Sequence, residues 1–499
     1  MRTKYSIKNF ILQFITNIIS IIFLFVSQTL LIKLLGVEYN GLNGLFTNII
    51  ILLNLLELGI GSSITYNLYK HIKNNDTDII KSIMYFYKKA YYIISFVVLL
   101  VGLSFLPILK FIVKDVSVDI NIYIVYILFV TATVATYILS YKRNIIIADQ
   151  KNYLINIIQI INIIIVNLFQ VLILWFTKNY YLFLIIKIIC ILLENLIINF
   201  KASRMYPYLK EKDIKPLNPE IKESIISRVK ALILHKVSWS VTNGTDNILI
   251  SAFLGIKTVG LYTCYNYIIS SVKKIFGNII QTSTSSIGNL LVENDYEKNY
   301  LAFKRIHLLN FWIAVTTSTC LLLITEPFIT LWIGKKYLLD FSVLIVLVLC
   351  YFQSIMRSTY IAFKDAAGIW VEDKYVPLVQ LTINLIASII LLKIFGLIGV
   401  FMGTFISHLV VWFYSYPVFI YHKLFNRSIK KYYGEVLLNL GVFLIVIGIT
   451  YLINLYTINI ITTIIISFLI PNLLLIIIYN RSSEFKYYLQ LLLKIIKKK

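Results

Sequence analysis

Apolar runs of roughly 20 residues follow one another along nearly the whole chain, and a run of that length spans a bilayer core as a helix. In lipid every backbone N–H and C=O must be satisfied internally, which leaves only helices and closed barrels. The runs are too long and too continuous for barrel strands of about ten residues. They predict an all-α polytopic membrane protein with about 14 transmembrane helices. The expected limits are 9–32, 42–69, 83–106, 119–141, 153–176, 181–200, 225–252, 259–285, 306–331, 341–361, 376–395, 397–420, 434–455 and 458–479. Only 14% of the 499 residues are charged, against about 25% in a soluble domain, which argues against a soluble fold. The first run has no small-residue cleavage site and reads as a retained span.

Lys and Arg concentrate in alternate loops, among them "LYKHIKNNDTDIIK", "YKRNIIIADQKNY" and "YHKLFNRSIKKYY", and in the tail "LLKIIKKK". The positive-inside rule then places both termini in the cytoplasm. The net charge of +24 is mostly this asymmetry. It suits an anionic inner leaflet, so membrane lipids are expected partners and nucleic acid is not. Abundant Ile, Lys, Asn and Tyr fit an AT-rich genome, and the expected location is a bacterial cytoplasmic membrane. Cys190, Cys264, Cys320 and Cys350 all lie in apolar runs and have neither metal-site nor disulfide spacing. No phosphate-binding loop, zinc motif or nucleophile elbow occurs, so no cofactor, metal or catalytic residue is expected. A membrane glycosyltransferase or glycan polymerase would carry a large outer loop with catalytic groups, and the outer joints here are short.

One joint occurs twice. "LGVEYNGL" at 35–42 and "LGIKTVGL" at 254–261 each separate two apolar runs. Other features recur at nearly the same offset. Pro107 matches Pro327, Tyr153 matches Tyr375, and Asn162 matches Asn384. A duplicated unit of six spans returns to the same side of the membrane, so the halves are parallel. The expected organisation is two parallel six-helix lobes, 1–222 and 223–422, followed by two extra helices and a basic tail at 423–499. The recurring joints are then the outer turns between the first two helices of each lobe, where glycine permits tight geometry. Two parallel bundles suit alternating access to a site near the midplane.

Charged groups inside spans are costly and face a wet interior or a partner. Glu57 lies in "NLLELGIGSS", where it could also cap a helix kink beside Gly59 and Gly61. Lys187 and Glu194 are seven residues apart and share a helical face, either as a satisfied pair or as cavity groups. In "LILHKVSWSVTNGTDNILI", His235, Trp239, Thr242 and Asp246 form one polar stripe at helical spacing, with Lys236 beside it. Lys273 and Lys274 lie deep in the eighth span, Arg357 in the tenth and His408 in the twelfth. Basic groups outnumber acids among these positions. A cavity of that sign favours an anionic headgroup over a cationic drug.

The stretch "LLGVEYNGLNGLFTNIIILLNLLELGIGSSITYNLYK" resembles the first hairpin of bacterial polysaccharide-transport proteins, the O-antigen and capsule repeat-unit flippases. "ALILHKVSWSVTNGTDNILISAFLGIKTVGLYTCYNYII" resembles their seventh and eighth spans, and "TSSIGNL", "EPFITLWIGKKYLL" and "GVFMGTFIS" are similar to later ones. The resemblance implies the multidrug/oligosaccharidyl-lipid/polysaccharide exporter (MOP) fold. It also implies flipping of a polyprenyl-pyrophosphate-linked glycan from the inner to the outer leaflet. A coupling cation, Na+ or H+, and other polysaccharide-assembly proteins become expected partners. A cation-coupled multidrug exporter of the same fold is the alternative.

Overall fold

The computed structural model describes residues 2–57, 59–211, 213–281, 283–293, 295–369, 372–456 and 459–497. The side chains of 2–8, 10, 56, 228, 231, 232, 234, 235, 278, 281, 285, 492 and 495–497 fall outside that description. The described chain is almost entirely helical. Besides the short helices Leu109–Ile112 and Thr284–Leu291, its helices are α1 (Arg2–Leu34), α2 (Val37–Leu53), α3 (Ile60–Asn74), α4 (Thr77–Ser104), α5 (Ile122–Tyr137), α6 (Arg143–Ala148), α7 (Asn152–Thr177), α8 (Tyr180–Met205) and α9 (Pro219–Gly244). They continue with α10 (Asp246–Leu254), α11 (Ile256–Gln281), α12 (Tyr296–Trp332), α13 (Phe341–Ala367), α14 (Val376–Phe395) and α15 (Leu397–Val410). The last are α16 (Ile429–Asn454), α17 (Ile460–Tyr479) and α18 (Ser483–Lys497).

Among the described residues, ten helical segments are long and apolar enough to cross a membrane, or eleven with α5 and α6 taken as one bent span. The other three expected spans are present as helices of a different character. The expected 42–69 is split into α2 and α3 by a tight 3-10 turn at Asn54–Glu57 and by Gly59, whose φ of 77° is left-handed. The expected 225–252 is divided into α9 and α10 at Gly244–Thr245. The expected 259–285 is α11, which carries Lys257, Lys273 and Lys274. Polar residues and glycine explain why these three lack one continuous apolar stretch.

The breaks leave backbone groups without helical partners, and side-chain amides and hydroxyls take them up. Asn195 donates to the carbonyls of Ala135 (2.9 Å) and Ile138 (3.0 Å), where the path from α5 to α6 bends by 45°. Asn144 donates to Gly61 O (3.0 Å) and to the Tyr87 hydroxyl (2.8 Å), next to the break after α2. The Tyr137 hydroxyl donates to Asn54 Oδ1 (2.9 Å) at the same break.

The chain divides into two compact units, residues 1–263 and 264–499. That division falls inside α11 and differs from the 222/223 boundary read from the repeat. In the first unit, one core cluster gathers Ile83, Met84 and Tyr87 of α4 with Ile145 and Ile146 of α6 and Ile198 of α8. In the second, an aromatic cluster joins α12, α13, α16 and the π-helical stretch Val411–Leu424. There Tyr360 stacks on Tyr416 with centroids 4.5 Å apart, and Phe303 lies 5.0 Å from Phe425. Glu435 accepts hydrogen bonds from Tyr300 (2.5 Å) and Tyr421 (2.6 Å), tying α16 to this cluster. α14 and α15 form a close hairpin through Gly399 and Gly403, where a Cβ would strike the backbone of Leu391 and Ser388. Small residues four apart are the usual means of such close approach in lipid.

Large apolar side chains lie exposed along α7, including Leu168, Phe169, Trp175 and Phe176. Hydrocarbon, not protein, covers such surface. The chain is a multi-pass membrane protein.

Candidate functional site

The recurring joints are turns, as their glycines suggest. Gly36 has φ 111° between α1 and α2, and Gly255 has φ 83° between α10 and α11. The second glycine of each motif does something different. Gly41 on α2 and Gly260 on α11 sit where these two helices cross within the first unit. A Cβ on Gly41 would strike the carbonyl oxygen of Ile256, and one on Gly260 would strike that of Val37. Asn40 donates to Gly260 O at 2.9 Å, and the Ile256 amide donates to Lys114 O at 3.1 Å. Glu38 accepts from the Ser117 hydroxyl (2.5 Å) and amide (2.9 Å) beside the first joint. The two motifs therefore pack against each other.

The charged positions separate into sets. Glu57 lies in the 3-10 turn between α2 and α3, half-buried, and accepts a hydrogen bond from Tyr91 (3.1 Å). The helix breaks beside Glu57 at Gly59, whose φ is left-handed. Lys187 and Glu194 do not meet. Glu194 binds Arg143 (2.5 Å) and Asn162 (2.6 Å), while the Lys187 ammonium stands 5.7 Å from the Phe129 ring centre. Arg143 and Asn162 were missed because their link to Glu194 joins three helices.

The stripe read from the seventh span crosses the joint between α9 and α10. The His235 side chain lies outside the described residues, and Lys236 is half-buried. Trp239 is 63% exposed and Thr242 only 7%. Asp246 opens α10, and its Oδ1 is buried with no hydrogen-bond partner, as is Thr242 Oγ1.

In the second unit, Lys273 lies on α11, Arg357 on α13 and His408 on α15, and α11 approaches α13 at Gly277, where a Cβ would sit 4.0 Å from Ile355 Cδ1. Arg357 Nε donates to the Tyr416 hydroxyl at 3.1 Å. His408 Nδ1 is buried without a hydrogen-bond partner. Among the described residues, neither Lys273 nor Arg357 has a carboxylate within 4 Å. Lys273 and Lys274 both keep solvent-accessible surface. The sequence showed each of these charges but not their convergence or the Tyr416 contact. Among the described residues, no group of three His, Cys, Asp or Glu could hold a metal ion. The unit 2 set can do one thing readily, which is to attract an anion into an apolar setting.

No family model matches the chain, and no curated protein does either. Solved structures match its fold. A lipid II flippase, MurJ, in an inward closed conformation is 16% identical and superposes with a TM-score of 0.66, over 95% of this chain and 99% of that one. An inward-facing multidrug resistance MATE family transporter of the MOP superfamily is 14% identical, with a TM-score of 0.60 over 78% of this chain and 91% of that one. A MOP superfamily transporter from Pyrococcus furiosus is 13% identical, with a TM-score of 0.51 over 81% and 93%. The fold is that of MOP-superfamily transporters, as the sequence resemblance implied.

Proposed function

We propose that this chain is a flippase that carries a polyprenyl-pyrophosphate-linked oligosaccharide from the inner to the outer leaflet for surface polysaccharide synthesis. The observation that carries this reading is that Lys273 and Arg357, on helices that approach each other at Gly277 and Ile355, have no carboxylate within 4 Å among the described residues. A pyrophosphate supplies the missing negative charge. The prenyl chain stays in lipid, where its transfer costs nothing. The fold likeness to a lipid II flippase over 95% of the chain supports a lipid-linked cargo. Binding drives the switch between states only through unequal affinity for them, so the basic groups are expected to grip the headgroup more tightly in one state. Both termini are cytoplasmic in this reading, and residues 1–222 and 223–422 are two six-span repeats. Lys274 belongs to the same set, and within the first unit His235, Lys236, Trp239 and Thr242 are proposed separately as headgroup contacts.

Multidrug export coupled to Na+ or H+ is the second reading. The buried, unpartnered Oδ1 of Asp246 favours a cation there. Deleting the gene in its host separates the two. Loss of surface glycan, with a complete lipid-linked unit accumulating inside, is the flippase result. Normal glycan with new drug sensitivity rejects it and supports the exporter. Within the flippase reading, K273Q/R357Q should lower export at least tenfold at unchanged protein abundance. Full-rate export by that variant removes the headgroup role.

A further inference from the structure

Three lysines of the first unit gather without an acid. Lys88 is on α4. Lys142 lies in the 3-10 turn Ser140–Lys142 between α5 and α6, and Lys210 ends the 3-10 turn Pro207–Lys210 after α8. Both turns pack on α4 and on α8. Lys142 is buried, and its Nζ donates to Ser203 Oγ on α8 at 2.6 Å. Lys88 follows Tyr87, whose hydroxyl accepts from Asn144 (2.8 Å) two residues after Lys142, and Lys210 lies on a turn packed against the same helix.

Five carboxylates lie on these elements or at their ends, and each has another partner, Asp76 at the start of α4 being held by His71 (2.9 Å). Asp78 binds Lys81 (2.9 Å) and Lys215 (2.7 Å), and Glu211 binds Lys81 (2.7 Å). Glu194 binds Arg143 (2.5 Å), and Asp149 binds Lys151 (2.6 Å). Among the described residues, none of the three lysines has a carboxylate within 4 Å. Like charges around a buried ammonium disfavour its charged form, and a bound anion relieves that cost. The Tyr141 ring, 5.8 Å from the Lys142 ammonium, is only a weak substitute.

We infer that Lys88, Lys142 and Lys210 form a binding site for a phosphate group, with the Ser203 hydroxyl, which donates to Asn199 O (2.8 Å), holding Lys142 in place. Three ammoniums offer more donors than a two-oxygen carboxylate can accept, whereas a phosphate has the oxygens to meet them. Lys210 is exposed and Lys88 half-buried, so the site opens outward. Tyr85 and Tyr92, exposed on α4 beside Lys88, are the residues that mark a headgroup layer. An anionic lipid and a phosphate free in solution offer the same chemistry. The inference is independent of the transport reading, because none of these residues belongs to the unit 2 set.

The test uses the full-length protein with K88Q/K210Q, which leaves the buried Lys142 in place. K335Q/K336Q serves as a control of equal charge loss, and K142Q as a second variant. In one arm, native mass spectrometry reads phosphatidylglycerol retained from phosphatidylcholine nanodiscs containing it. In the other, inorganic pyrophosphate is titrated in detergent and the melting midpoint is followed. Phosphatidylglycerol affinity at least tenfold weaker in K88Q/K210Q and K142Q, with the control unchanged, supports the site and assigns it to a lipid. A pyrophosphate-induced rise in melting midpoint that both variants lose and the control keeps supports it and assigns it to a free phosphate. Should K142Q not fold, K88Q/K210Q decides alone. Responses in both arms that match the control overturn the inference.

Discussion

At the scale of single residues, the sharpest constraints are steric. Gly41 and Gly260 each face a backbone carbonyl on the opposing helix, and backbone cannot swing aside as a side chain can. Gly41→Ala and Gly260→Ala should each destabilise the protein by about 1–3 kcal/mol. Gly434→Ala, at a position with open space around it, should be close to neutral. Melting midpoints of the three variants in one detergent check this, and equal shifts would refute the crossing. A second constraint is electrostatic. Removing the arginine in R143Q leaves Glu194, partly buried, with Asn162 alone. The loss should reach about 2–4 kcal/mol, below the full cost of a completely buried pair. The double variant R143Q/E194Q should be more stable than R143Q, since it removes the orphaned charge too. A double variant that is worse by the sum of both singles would mean the two side chains act independently.

At the scale of elements, helix breaks are held by partners distant in sequence. Asn195 meets two carbonyls freed where α5 bends into α6, so Asn195→Ala should cost about 1–3 kcal/mol and should raise hydrogen exchange at 135–140 before the rest of α5. Uniform exchange along α5 in that variant would show that the bend does not depend on the amide. The same comparison explains what a reader of the bare sequence could see. Segment order and approximate limits were legible, because the length of an apolar run is a property of consecutive residues. The breaks at Asn54–Gly59 and at Tyr137–Ser140 were only partly so. Gly59 and Glu57 hinted at the first, but Asn144, Tyr137 and Asn195 stabilise the breaks from other helices. The candidate site divided in the same way. Lys273 and Arg357 were conspicuous as charges in apolar runs, whereas their approach to each other depends on how α11 packs near α13. The Lys187–Glu194 pairing failed to form because a shared helical face says nothing about Arg143 on another helix.

At the scale of the whole molecule, the alternation of basic and neutral loops makes a topological prediction. On a background lacking the four native cysteines, Lys178→Cys should react with an impermeant maleimide in intact cells. Lys215→Cys should react only after permeabilisation, because the positive-inside bias puts the two on opposite sides. Equal labelling of both in intact cells would reject the proposed orientation. The crossing of α2 and α11 has a consequence of another kind. Each motif presents a glycine to the other and receives a carbonyl from the matching position, Val37 for one and Ile256 for the other. A contact in which both sides play both parts is isologous, the form an interface takes when two identical subunits meet about a two-fold axis. A single half-length polypeptide carrying one copy of this motif would possess the surface needed to dimerise, and joining two copies in tandem would preserve that handshake while freeing each side to diverge.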